Sequence, residues 1–188
     1  LGLRLQRGPI IGWTLTVVFW ALMLGSVVEA MNDLMSDASS TVLELIGGVG
    51  IDALLSLLVV MIALVATVFA VQSTATLRTE EASGIIEPQL AGAVSRIRWA
   101  TGRLVIPVVG SAVLLLLGGG CMGAVYGSLV GDSSRTGALA LAALAFWPAV
   151  MVFVGLGVAL FGWLPRLAVA LSWGVLAAMW IVVIVGDA

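Results

Sequence analysis

Histidine and lysine are absent from the 188 residues, cysteine occurs once, and charged residues make up only 10% of the chain. Without histidine there is no imidazole base and no His-based metal site. Without lysine there is no G-x-x-x-x-G-K-[ST] phosphate loop, no Schiff base and no Ser–Lys dyad. Cys121 cannot form an intramolecular disulfide; it sits in an apolar run and reads as a small hydrophobe. The basic residues are eight scattered arginines and the net charge is −2, so no basic face for nucleic acid is present. What the chain does have is apolar surface: 62% of its residues are hydrophobic and the mean hydropathy is +1.23. A soluble domain is roughly 45–50% apolar and roughly 25% charged. Eight basic and ten acidic side chains cannot coat a soluble body of this size, and disordered chains lack such apolar content. The composition is that of an all-α, multi-pass membrane protein.

Five charge-free runs, 10–28, 53–71, 104–130, 139–162 and 167–186, are each close to or above the ~20 residues that a helix needs to cross a bilayer. None has the two-residue alternation of a barrel strand, and an isolated span must satisfy its backbone internally. The expectation is five transmembrane helices in a single domain, 1–188. Arg4, Arg7, Arg78, Arg96, Arg98, Arg103 and Arg166 fall on one side of these spans and only Arg135 on the other. The positive-inside rule makes the first side cytoplasmic, so the N-terminus is expected inside a cell (inner) membrane. Glu29, Asp33, Asp37, Glu44, Asp52, Asp132 and Asp187 are then external, with 29–52 an acidic external loop. Glu29, Asp33 and Asp37 would share a helix face, and a metal site there is weighed against a loop resting in the headgroups; the latter is preferred, and no metal is expected. The chain opens on Leu1 rather than Met and its last run stops at Gly186-Asp187-Ala188, which reads as a chain cut at both ends and lacking a further span.

Gly119, Gly123, Gly127 and Gly131 recur every fourth residue at the end of the third run, three overlapping G-x-x-x-G motifs on one helix face. Tight packing within the subunit is the first reading; a subunit interface or gate lining is the second. Gly155, Gly157, Gly162 and Pro148 predict a kinked, closely packed fourth span. Trp20, Trp147, Trp173 and Trp180 are either cavity lining or interface and packing residues.

The segment 72–103 is the most informative. The second span is expected to continue into the cytoplasm, break at Gly84 and turn through a short surface helix carrying Ile85, Ile86, Leu90 and Ala91. Pro88 stands near the start of that helix, where a missing N–H is tolerated. Ser95 can then cap the helix that Arg96, Arg98 and Trp99 open. From composition alone, Arg78, Glu80, Glu81, Glu87, Arg96 and Arg98 also fit a solvated loop with weak local ion pairs.

The string Arg78-x-Glu80-Glu81-x-x-Gly84-x-x-Glu87-x-x-Leu90-x-x-x-Val94-Ser95-Arg96-x-Arg98-Trp99 resembles the intracellular loop of type-2 ABC exporter permeases. The nearest group is the actinobacterial multidrug exporters of polyketide antibiotics such as tetronasin. The opening Leu3-Arg4-Leu5-Gln6-Arg7-Gly8, followed by Gly12-Trp13, is similar to the start of the second half of such fused permeases. The resemblance implies five of the six helices of a permease half, with a cytoplasmic coupling helix seated on an ATP-binding subunit. The coupling candidates carried over are Arg78, Glu80, Glu81, Gly84, Glu87, Leu90, Ser95, Arg96 and Arg98. It further implies that ATP and Mg bind on that partner, present in two copies, and not on this chain. A second permease half, membrane lipid and a hydrophobic small-molecule substrate complete the expected partners. The chain departs from the pattern at Ile85 and Pro88, and the re-entrant hairpin and sixth helix are absent.

The leading functional reading is thus the membrane subunit of an ATP-driven exporter of amphipathic or hydrophobic compounds, without catalytic residues of its own. A scaffold or assembly subunit that uses the glycine face is the alternative. An ion-coupled transporter is weaker, because such proteins place ionisable residues at the membrane midplane and none of the five runs holds one.

Overall fold

The computed structural model describes residues 7–37, 51–82, 96–164 and 166–185. All the regular structure among them is helical: α1 (Arg7–Asp37), α2 (Ile51–Ala82), α3 (Arg96–Val130), α4 (Ser134–Leu144), α5 (Trp147–Trp163) and α6 (Ala168–Val185). Long apolar segments become helices because only a helix meets all its backbone hydrogen bonds within one segment. Four stretches are long and apolar enough to cross a membrane: Gly8–Val28, Ile51–Thr76, Leu104–Val130 and Ser134–Trp163. The fifth run supplies the shorter apolar helix α6. The 35 residues of α3 span ~52 Å at ~1.5 Å per residue, well beyond a ~30 Å hydrocarbon core. The excess lies at its Arg96 end, and α2 likewise continues from Thr76 to Ala82.

The fourth charge-free run is carried by two helices. α4 starts at Ser134, the chain turns at Ala145 and Phe146, and α5 runs on to Trp163. Pro148, second residue of α5, has no N–H to offer the Leu144 carbonyl, and its ring crowds the preceding turn. The last turn of α4 tightens accordingly: the Phe146 amide donates to the Ala143 carbonyl three residues back at 3.1 Å. Pro107, by contrast, is accommodated inside an unbroken α3.

The chain divides into two compact units. One comprises residues 1–7, 64–113 and 147–188, with Leu64, Phe69, Val71, Val150, Val154 and Leu176 in its core. There the ring of Phe69 lies against Gly110, within 2.7 Å of the position a Cβ would take. The other comprises residues 8–63 and 114–146, with Val17, Val28, Ile62, Leu115, Met122 and Tyr126 buried. In it Gly25 admits Val125, and Gly118 admits Ile62 and Val17. Two hydroxyls buried in the first unit bond back to their own helices: Thr74 Oγ1 donates to the Ala70 carbonyl at 2.8 Å, and Ser111 Oγ to the Val108 carbonyl at 3.1 Å. Ile11, Leu15 and Phe19 on α1 and Ile181 and Val182 on α6 are exposed, as apolar side chains facing lipid are.

Candidate functional site

Arg78, Glu80 and Glu81 belong to the last two turns of α2, and Arg96 and Arg98 to the first turn of α3. These helix ends flank residues 83–95, which contain Gly84, Glu87, Leu90 and Ser95 and lie outside the described residues. Five of the nine coupling candidates are thus placed on helices.

The glycine face of α3 is filled by the next helix of the same chain. A Cβ on Gly119 would meet the Leu139 carbonyl oxygen, the Ala143 Cβ at 2.8 Å and the Ala140 Cα at 2.9 Å. On Gly123 it would meet the Arg135 carbonyl oxygen and the Thr136 Cα, both at 2.8 Å, and on Gly127 the Asp132 carbonyl oxygen at 2.7 Å. Each four-residue step along α3 thus meets the backbone of the returning chain, the close approach that small residues permit. Gly131 has another role. Nothing lies within 4 Å of its Cβ position, and its φ of +68° is left-handed. The Asp132 amide then donates to the Gly127 carbonyl at 2.9 Å, which closes α3 with a Schellman turn.

The same turn opens α4. Asp132 Oδ1 accepts from the Ser134 hydroxyl at 2.6 Å and from the Ser134 amide at 3.0 Å, and Oδ2 lies 3.4 Å from Arg135 Nε. The Ser134 hydroxyl, then its amide, and to a lesser degree the neighbouring guanidinium hold the Asp132 carboxyl below its ordinary pKa. The Arg135 guanidinium also lies 5.9 Å from the centroid of the buried Tyr126 ring. Sequence reading placed Asp132 and Arg135 only as loop charges; an Asp two residues before a serine was the signal for this local side-chain-to-backbone turn.

At the α4–α5 break, Trp147 Nε1 donates to the Val108 carbonyl of α3 at 3.1 Å. Among the tryptophans proposed as cavity lining, Trp20 and Trp173 are exposed, Trp147 makes this bond, and Trp180 has a buried Nε1 with no acceptor among the described residues. The cleft that does form is lined by other aromatics. In the first unit, Val71 and Thr74 of α2, Phe153, Gly157 and Phe161 of α5 and Ser172 of α6 border a shallow cleft of about 20 Å3, room for a single water. Gly157 brings α5 onto α2 there: its Cβ position is 2.9 Å from Thr74 Cγ2 and 3.9 Å from Ser172 Oγ. No group of three His, Cys, Asp or Glu side chains able to hold a metal comes together among the described residues.

A family profile described as "Multidrug efflux system permease Rv1217c, C-terminal domain" matches residues 1–188. The chain is 37% identical over 181 residues to the multidrug efflux system permease protein Rv1217c of Mycobacterium tuberculosis (strain ATCC 25618 / H37Rv). That alignment covers 94% of this chain and 33% of the relative, so the chain spans about a third of the length of the relative it matches. Helices long and apolar enough to span a membrane, in a chain of this kinship, make it a multi-pass membrane protein. By a match along its whole length, the chain belongs to the family of the C-terminal domain of the multidrug efflux system permease Rv1217c.

Proposed function

We infer that the chain is part of the transmembrane permease of an ATP-driven ABC exporter that moves amphipathic or hydrophobic compounds out of the cell. Polyketide antibiotics of the tetronasin type are the substrate class within that reading. ATP and Mg sit on a separate ATP-binding subunit, and residues 83–95 form the contact with it. One observation carries this. In a chain of efflux-permease kinship, α2 and α3 continue past their apolar stretches and end in the charged positions Arg78, Glu80, Glu81, Arg96 and Arg98 on either side of 83–95. A segment held between two extended helices can pass movement of a bound subunit into both. Each transport state must then be favoured by contacts the other lacks. The arginine distribution supports a cytoplasmic N-terminus in the inner membrane. The scaffold reading loses its main argument, because the glycine groove it would use is occupied by α4.

The test uses the full-length permease with Cys121→Ser and a single cysteine introduced as Glu87→Cys, co-expressed with cysteine variants of the ATP-binding subunit. The expected result is a disulfide between position 87 and one groove on that subunit, with a yield that changes on adding ATP. Failure of every groove position to crosslink, together with loss of co-purification, overturns the coupling assignment.

A further inference from the structure

Arg135 and Arg166 each stand at a turn between apolar helices, and they are served differently. Arg135, at the α3–α4 turn, has Asp132 Oδ2 at 3.4 Å from its Nε and the centroid of the Tyr126 ring at 5.9 Å. Arg166, at the α5–α6 turn, is exposed and has no carboxylate or ring partner among the described residues. Between Arg135 and Asp187 it is the sole charged side chain, so neither helix that flanks it carries a counter-charge.

The turn holds that charge where two apolar helices end. The Leu164 amide donates to the Leu160 carbonyl at 2.8 Å and continues the last turn of α5. The Leu164 carbonyl then accepts from the amides of Leu167 and Ala168, each at 2.9 Å. Those two amides at the start of α6 are thereby used within the turn, and the guanidinium is what the turn offers to an outside anion. Its neighbours are apolar: Trp163 is 83% exposed, and Leu164 and Leu167 are exposed as well. One charge among exposed apolar side chains suits neither bulk water nor hydrocarbon. It suits the headgroup layer, where an indole ring settles and an arginine reaches phosphates. A guanidinium meets a phosphodiester as a planar fork to two oxygens.

We propose that the α5–α6 turn binds the headgroup of an anionic phospholipid of the surrounding bilayer. Arg166 takes the phosphate, while Trp163, Leu164 and Leu167 rest against the upper part of the acyl chains. A zwitterionic lipid brings its own cation beside the phosphate and an anionic one does not, so net headgroup charge decides the preference. Charge complementarity favours this occupant over an apolar protein surface, which would leave the guanidinium buried and unpaired. The proposal rests on the chain's place in a membrane and not on ATP-driven export.

The probe is phosphatidylglycerol with brominated acyl chains, whose bromines quench a nearby fluorophore. The full-length permease, with Cys121→Ser and Leu167→Cys as its single cysteine, carries a bimane label there. It is reconstituted in mixed vesicles of phosphatidylglycerol and phosphatidylcholine. Either lipid is brominated in turn, so only the headgroup that brings the quencher changes. Brominated phosphatidylglycerol should quench as though enriched about fivefold at the turn, the preference that one arginine near the surface confers. In Arg166→Gln, quenching should persist but become equal for the two headgroups. Arg166→Lys should keep most of the preference and Arg135→Gln all of it. Salt at about 1 M, with a screening length of about 3 Å, should lower the preference when Arg166 is present. Equal quenching by the two lipids with Arg166 in place overturns the proposal, whatever a variant does to the fold. So does a preference that survives Arg166→Gln, which would put the anion site elsewhere. Loss of lipid quenching when the ATP-binding subunit is added also overturns it, since an acidic face of that protein would then cover the turn. Crosslinking at position 87 can fail while the turn still selects anionic lipid, and the reverse.

Discussion

The indole of Trp147, in the first turn of α5, is hydrogen-bonded at 3.1 Å to the carbonyl of Val108, the residue after Pro107 in α3. Two places where a backbone ladder is weakened by proline, Pro107 and Pro148, are thereby tied together. Ser111 Oγ donates to the same carbonyl at 3.1 Å.

Trp147→Phe keeps the ring and removes the donor. The loss should be about 0.5–1.5 kcal/mol, the net worth of one such bond. Thermal unfolding of the full-length permease in detergent measures it, and an unchanged midpoint means that the bond contributes nothing in the folded protein.

Pro148→Ala returns an amide that can reach the Leu144 carbonyl. α4 and α5 should then approach one continuous helix, with amide exchange at 145–147 slowed by an order of magnitude or more. Exchange as fast as in wild type would mean that something other than the proline sets the break.

Gly123→Val pushes a branched side chain onto the Arg135 carbonyl and the Thr136 Cα, backbone atoms that cannot swing aside. A cost of about 1–3 kcal/mol is expected from overpacking. Gly120→Ala is the matched control: its Cβ would meet only the Ala140 Cβ at 3.9 Å, so the change should stay within about 0.5 kcal/mol. Equal melting of the two variants would contradict the backbone contact.

Gly131→Ala forces an L side chain into a left-handed conformation, with an expected loss of about 1–2 kcal/mol. Gly131→Asn, better tolerated there, should recover part of it in the same unfolding assay.

The carboxyl of Asp132 titrates lower in the folded protein than in the unfolded chain, where a value of about 3.9 is ordinary. Its contribution to the α3–α4 turn is therefore fully present above that ordinary value and is lost as pH falls through the lower folded value. Amide exchange at Ser134 should be protected equally at pH 7 and pH 5, after correction for intrinsic rates, and lose protection only in stronger acid. In Asp132→Asn, which keeps an acceptor but no titrating group, that acid-dependent loss should vanish.

The apolar runs foretold α1, α2, α3 and α6 because composition alone decides whether a helix can face lipid. The glycine period was visible for the same kind of reason, since residues four apart share a face whatever lies opposite. The identity of the opposing helix was not visible: α4 meets Gly119, Gly123 and Gly127 because a tight turn at Gly131 folds it back, a turn held by the left-handed glycine and the Asp132–Ser134 hydrogen bonds. Pro148 signalled a bend, yet a kink and a full break differ only in whether neighbouring packing restores the lost bonds, which no local pattern encodes. The cleft was the least legible feature. Thr74, Gly157 and Ser172 sit on three helices far apart in the chain, and each alone reads as an ordinary small residue in an apolar span.

Backbone-to-backbone contact at Gly119, Gly123 and Gly127 also fixes what the α3–α4 hairpin can do mechanically. A slide of one residue, ~1.5 Å, would set the glycines out of step with the carbonyls and α-carbons they accommodate and bring side chains against them. The pair therefore has one register and no soft sliding coordinate. Any rearrangement of this chain has to carry the second half of α3 and α4 together, as a single strut of double thickness.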